Sequence, residues 1–211
     1  MGENVDRGDE VDRADLQRDL DRIKEAMGLA ERYENAPEQW LGFGVVVAVA
    51  CALSQYVVLE RLPQAWFAAV WLGLFGALGA VLSRRYGYSF EPGTARPNLG
   101  FQILAVYFAA FPIAAVAGSF LPELSYLEET AFTLAIILVQ LGAGYVVAGE
   151  TLKAYHIRDR DRYAFHAGGL LMVGLGVTVA TYEPLYEWGY AAFGGAYLAY
   201  AVASYWVLSS S

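Results

Sequence analysis

The chain has 211 residues, 57% of them hydrophobic and only 17% charged, with a formal net charge of −8 and a mean hydropathy of +0.36. A soluble domain carries about 25% charged residues, so a soluble globular enzyme is excluded, and an acidic balance gives nucleic acid nothing to bind. The charge is also segregated: residues 1–40 hold twelve Asp/Glu and six Lys/Arg, residues 41–211 ten and eight, so an acidic head joins a nearly uncharged body.

Residues 1–11 combine charge with little hydrophobicity, which predicts no ordered structure. From Asp12 onward, Leu16, Leu20, Ile23, Met27 and Ala30 recur at helical spacing and form one apolar stripe. The pairs Asp15–Arg18, Asp19–Arg22 and Asp21–Lys24 support that helix, and Asn35-Ala36-Pro37 ends it. An amphipathic helix over residues 12–34 within an acidic tail, residues 1–38, is therefore expected. The simplest reading is a cytoplasmic helix lying on its own membrane domain. Docking of a protein partner through residues 12–34, or self-association into a homo-oligomer, is the alternative. No signal peptide is expected, because the first forty residues lack an apolar core. The single cysteine, Cys51, lies in an apolar run and says nothing of redox compartment.

Residues 39–211 hold six apolar runs, about 41–59, 65–82, 99–121, 130–149, 163–182 and 185–208. Each approaches the ~20 residues that cross a hydrocarbon core. Lipid cannot satisfy exposed backbone groups, so such runs must be helical. The expected fold class is all-α, a polytopic transmembrane bundle of six spans. Gly168, Gly169, Gly174 and Gly176 loosen the fifth run, and Pro112 predicts a kink in the third.

The loops orient the bundle. Basic residues near helix ends stay in the cytoplasm. With the tail inside, thirteen of the fourteen Lys and Arg fall on that side, including Arg84, Arg85, Arg96, Lys153, Arg158, Arg160 and Arg162, and Arg61 alone lies outside. Both termini are thus expected in the cytoplasm of a cell bounded by this membrane. The short outer turns carry acids: Glu60; then Glu123, Glu128 and Glu129; then Glu183 and Glu187. Acids at helix N-termini complement the helix dipole, and Pro184 suits a first turn.

Helix packing in lipid favours small residues at close approach. Every fourth residue is small in the second run (Ala65, Ala69, Gly73, Ala77), the third (Ala110, Ala114, Gly118) and the sixth (Ala191, Gly195, Ala199, Ala203). Packing within one chain is expected for these ridges, with packing between chains as the alternative. The sixth run also carries Tyr186, Tyr190, Phe193, Tyr197 and Tyr200. Tyrosines near either end suit the interfacial belt. Tyr197, halfway across, needs a hydrogen-bond partner or a wet cavity; a structural role is preferred to a ligand-lining one.

Polar residues inside the runs are few, and those singled out are Ser54, Gln55, Gln140 and Thr178. Gln140 is the deepest amide, and no Asp, Glu, Lys or Arg lies at mid-membrane, where one would mark an ion or proton path. The stretch Gly149–Gly169 is the most charged interruption and holds both histidines. Helix four should continue past Gly149, placing Glu150 one turn from Lys153. His156 and His166 flank the Arg-Asp-Arg-Asp-Arg connection at one cytoplasmic level. Two imidazoles and a carboxylate there are a candidate metal or titrating cluster. Their spacing matches no zinc motif, so ordinary interfacial pairing is the preferred reading. The polar candidates are thus Gln140, Glu150, His156, His166 and Tyr197.

No Walker A loop, GxSxG elbow, HExxH, CxxC or strand-following GxGxxG is present. No catalytic residue, cofactor or bound metal is expected. The lipid bilayer is the expected partner, and the expected role is a non-enzymatic membrane component or subunit of a complex, with a small channel or carrier as the alternative.

Overall fold

The computed structural model describes residues 36–86, 99–154 and 159–210, together with Asp19. The amphipathic helix expected over residues 12–34 lies outside the described residues, apart from Asp19. Six helices fall on the six apolar runs: α1 (Ala36–Leu59), α2 (Ala65–Tyr86), α3 (Leu99–Gly118), α4 (Tyr126–Ala154), α5 (Asp159–Thr181) and α6 (Pro184–Ser209). No strand occurs among the described residues. Four helices are long and apolar enough to cross a membrane, through Trp40–Leu59, Tyr126–Thr151, Asp159–Thr181 and Pro184–Ser209. The apolar stretches of the other two, Ala65–Val81 and Ala105–Gly118, are shorter. The chain is a helical membrane bundle.

Local chemistry sets several helix ends. Ser125 and Glu128 form a capping box at the start of α4: the Ser125 N–H donates to Glu128 Oε2 (2.8 Å), and the Glu128 N–H to Ser125 Oγ (3.4 Å). At the end of α1, Arg61 adopts a left-handed φ of 49°. Its N–H donates to the Val58 carbonyl (3.1 Å), and the Leu62 N–H to that of Val57 (3.0 Å). This is the paired closure of a Schellman motif, at a position where glycine is the usual occupant. Tyr126 then ties α4 to the same turn, its hydroxyl lying 3.2 Å from the Val57 carbonyl and 3.1 Å from that of Leu62. The third helix continues through Pro112 to Gly118.

Two antiparallel seams organise the bundle, α4 on α5 and α1 on α6. In the first, Gly142 meets Gly169 backbone to backbone. A Cβ added at Gly142 would lie 2.6 Å from the Gly169 carbonyl oxygen, and one at Gly169 2.7 Å from that of Gly142. Seven residues along each helix the approach recurs, with Gly176 against the Ala135 carbonyl (3.0 Å), and Gly149, seven residues beyond Gly142, faces the His166 side chain (2.9 Å), three residues before Gly169. Two of the four glycines expected to loosen the fifth run, Gly169 and Gly176, are thus part of what lets α5 press on α4, whereas Gly168 faces Tyr200 of α6 and Gly174 open space. In the second seam Gly44 abuts Ala201, and Gly194 abuts Cys51 (2.6 Å). There Gln55 donates to the Glu187 carbonyl (2.6 Å) and accepts from the Ala191 N–H (2.9 Å). Leu138, Met172, Val58, Val179, Cys51 and Ser54 are the largest of the fully buried side chains.

The small-residue ridges do not all pack as expected. On α3, Ala110 is buried, Ala114 and Gly118 are half-buried, and the helix rests on α4. On α2 and α6, however, Ala65, Ala69, Gly73 and Ala77, and Ala191, Gly195, Ala199 and Ala203, are all exposed. An added Cβ at Gly73 or Gly195 would meet nothing within 4 Å. Within-chain packing is corrected for these two ridges. The large residues of α6, Tyr190, Phe193 and Tyr197, take the interior and turn the small ones outward.

Candidate functional site

The most structured polar region lies where the end of α4 meets the start of α5. Because Gly149 has no side chain, the His166 imidazole fits into the seam against it. The next residue of α4, Glu150, brings Oε1 to 3.2 Å from His166 Nε2. This is an ion-pair distance without hydrogen-bond alignment, since Nε2 is enclosed and makes no aligned hydrogen bond. The Glu150 side chain keeps 55% of its exposure, so the pair is a partly solvated one and contributes at most about 1 kcal/mol. One turn earlier on α5, Arg162 Nη1 lies 3.3 Å from Asp159 Oδ1, and its guanidinium carbon lies 5.4 Å from the centre of the Tyr163 ring.

Beneath this pair four helices contribute one aromatic cluster. Trp40 of α1 meets Tyr145 of α4, Phe165 of α5 and Tyr200 of α6 edge-on, with ring centroids 6.2, 5.0 and 5.7 Å apart. Edge-to-face contacts of this kind add to the burial of the rings themselves. Their polar ends are also used. The Tyr145 and Tyr197 hydroxyls lie 2.6 Å apart in the buried core, and the Tyr200 hydroxyl donates to the Ala164 carbonyl at 2.7 Å. Gly168 makes room for that hydroxyl, since a Cβ there would lie 2.6 Å from it.

Of the residues singled out from sequence, the structure brings Glu150 and His166 together. His156 lies outside the described residues, as does the side chain of Lys153, the ion-pair partner expected for Glu150. Tyr197 has its partner in Tyr145. Gln140 stands apart, ten residues before Glu150 on α4, about 15 Å along the axis, and its Oε1 is enclosed without a hydrogen-bond partner. Among the described residues no group of three His, Cys, Asp or Glu side chains is placed to hold a metal ion.

Sequence reasoning missed Trp40, Tyr145 and Phe165. A usable signal for Tyr145 exists: it lies three residues after Gly142 and four before Gly149, on the same helix face as those glycines. Trp40 and Phe165 carry no comparable mark, because an aromatic near a span end reads first as an interfacial anchor.

Fold and site together define a polytopic helical membrane protein whose interior is joined by aromatic rings, close glycine contacts and a few interhelical hydrogen bonds. No protein-family model, curated protein or solved structure matches the chain.

Proposed function

We propose that the chain is a non-enzymatic membrane component that works as a subunit of a complex, with six spans in the cell membrane and both termini cytoplasmic. The observation that carries this reading is the filled interior. Trp40, Tyr145, Phe165, Tyr197 and Tyr200 occupy the space between α1, α4, α5 and α6, where a carrier needs a path and an enzyme a reaction site. The basic residues of the loops support the orientation. The acidic tail, through residues 12–34, is the segment assigned to the protein partner. Native mass spectrometry of the protein, gently extracted from its own membrane, tests the reading. A second polypeptide in fixed ratio supports it, and deletion of residues 1–36 should release that polypeptide while leaving membrane insertion intact. A chain that is always found without another polypeptide overturns it.

One observation favours a second reading, a small channel or carrier. Gln140 is a polar side chain near the middle of α4 with an enclosed, unpartnered oxygen. A passing solute or ion could use such a group in place of water. Under this reading Gln140→Leu or Tyr197→Leu changes flux in loaded proteoliposomes and the tail is dispensable.

A further inference from the structure

Exposed tryptophan and tyrosine rings fall at only two levels of the bundle. Among the described residues they are Tyr56, Trp66, Tyr163, Tyr182, Trp188 and Trp206. Between those levels the rings turn inward: Tyr190 and Tyr197 of α6 and Tyr145 of α4 are buried, and Trp71 of α2 and Tyr107 of α3 are half-buried. We propose that the six exposed rings form two belts that fit the bundle to a thin bilayer, one whose hydrocarbon is at most about 27 Å across.

Contacts within the chain align the rings. At one end Gln55 bonds the Glu187 carbonyl and the Ala191 N–H, which sets Tyr56 of α1 at the height of Trp188 of α6. Phe67 stacks on Tyr190, so Trp66 of α2 reaches the same height, and Tyr182 closes α5 beside the start of α6. At the other end Tyr200 donates to the Ala164 carbonyl, with Tyr163 one residue before Ala164 and Trp206 six beyond Tyr200. Side chains lean toward the N-terminus of their own helix, so on antiparallel α5 and α6 the Tyr163 and Trp206 rings lean toward one level.

An indole or phenol has an apolar body and a polar tip, and settles where hydrocarbon gives way to headgroups. Trp188 and Trp206 are 18 residues apart on α6, about 27 Å, and Tyr163 and Tyr182 are 19 apart along α5, about 29 Å. The rings stand at headgroup level and spanning helices tilt by about 20° on average, so the hydrocarbon between the belts is narrower than the ring spacing. An average core is about 30 Å thick. No Asp, Glu, Lys or Arg lies between the belts on α5 or α6. The partly solvated Glu150–His166 pair sits one turn from Tyr163, at the edge of the hydrocarbon. The inference needs only the membrane location of α5 and α6, and it stands apart from the choice between subunit and carrier.

Two measurements on the full chain test it. In fluid phosphatidylcholine bilayers with about 27, 30 and 33 Å of hydrocarbon, the unfolding midpoint of the unaltered chain is expected to be highest in the thinnest and to fall with each step. Replacing both exposed rings of α6, as Trp188→Leu with Trp206→Leu, is expected to weaken that dependence, because leucine has no preference for the headgroup level. Cys51 is the single cysteine, so a Cys51→Ala background allows one new cysteine at a time. With both faces of the membrane open, a water-soluble maleimide is expected to label Arg160→Cys, Glu183→Cys and Ser209→Cys, which lie outside the belts. Ala167→Cys, Ala191→Cys and Val202→Cys, on exposed positions one turn inside them, are expected to stay unlabelled. A midpoint that is level or rises with thickness, a double variant with the original dependence, or labelling of the inside positions overturns the proposal. If Cys51→Ala fails to insert, the thickness dependence decides alone; if the double variant fails to fold, the unaltered chain and the labelling decide.

Discussion

Hydroxyl groups deep in the bundle show how strongly one partner depends on another. Tyr145 and Tyr197 are both buried and lie 2.6 Å apart. Removing one hydroxyl leaves the other without a partner, and such a loss destabilises by about 1–3 kcal/mol, whereas replacing both partners by apolar groups of the same shape is nearly neutral. Tyr145→Phe and Tyr197→Phe should therefore each lower the unfolding midpoint in detergent micelles, and the double variant should recover most of the loss. If the double variant loses the sum of the two, the pair is not a closed unit. Arg61 presents the opposite case, a residue whose backbone fits glycine better than itself. A left-handed φ disfavours a side chain by about 1–2 kcal/mol, part of which glycine returns as unfolded-chain entropy. Arg61→Gly should thus stabilise by up to about 1 kcal/mol, read in the same unfolding assay.

Helices, as elements, were legible in the sequence; the directions they face were not. Runs of apolar residues near bilayer length left no alternative to helix, and the acids Glu128 and Glu129 sit in the first turn of α4 as read. The inward faces were obscure because lipid is as apolar as a leucine core. Hydropathy periodicity, which separates inside from outside in water, therefore fades in a bilayer. Small residues remain as the guide, and they are ambiguous. Gly142, Gly169 and Gly176 sit in a seam, while Gly73 and Gly195, on equally regular ridges, face outward. Glu150 and His166 could be placed at one level from sequence, yet their contact depends on the missing side chain of Gly149, which only the α4–α5 register reveals. The difference between glycines is measurable. Gly142→Ala puts a methyl 2.6 Å from a backbone carbonyl and 2.9 Å from a backbone nitrogen, and must wedge α4 from α5. Overpacking of this kind destabilises by about 1–3 kcal/mol. Gly195→Ala meets open space and gains helix propensity, so it should be neutral or slightly stabilising. Equal effects of the two substitutions on folded yield in micelles would contradict the seam.

At the scale of the molecule, the side on which the α2–α3 connection lies decides the number of spans. Antiparallel α1 and α6 put the start of one beside the end of the other, so both termini share a side whether four or six helices cross. Six crossings return Arg84 to the side of the termini. Four crossings, with α2 and α3 failing to pass through, leave it on the side of Glu60. The full helix lengths leave room for six: α2 has 22 residues and α3 has 20, about 33 and 30 Å at 1.5 Å per residue, against a hydrocarbon core of about 30 Å, although their apolar stretches, Ala65–Val81 and Ala105–Gly118, are shorter. The basic pair Arg84-Arg85 is also drawn to the cytoplasmic face. In a Cys51→Ala background, Glu60→Cys and Glu123→Cys should react with a membrane-impermeant thiol reagent added to intact cells. Arg84→Cys and Ser210→Cys should react only after the membrane is opened. A reactive Arg84→Cys in intact cells, beside an unreactive Ser210→Cys, would make α2 and α3 peripheral to the bilayer and reduce the bundle to four spans. Because Trp71 of α2 donates to Ser54 of α1 at 3.0 Å and Phe67 stacks on Tyr190 of α6 at 5.3 Å, that outcome would place two interhelical contacts where water competes for them. The six-span arrangement keeps both contacts in hydrocarbon, where the indole N–H has no other acceptor.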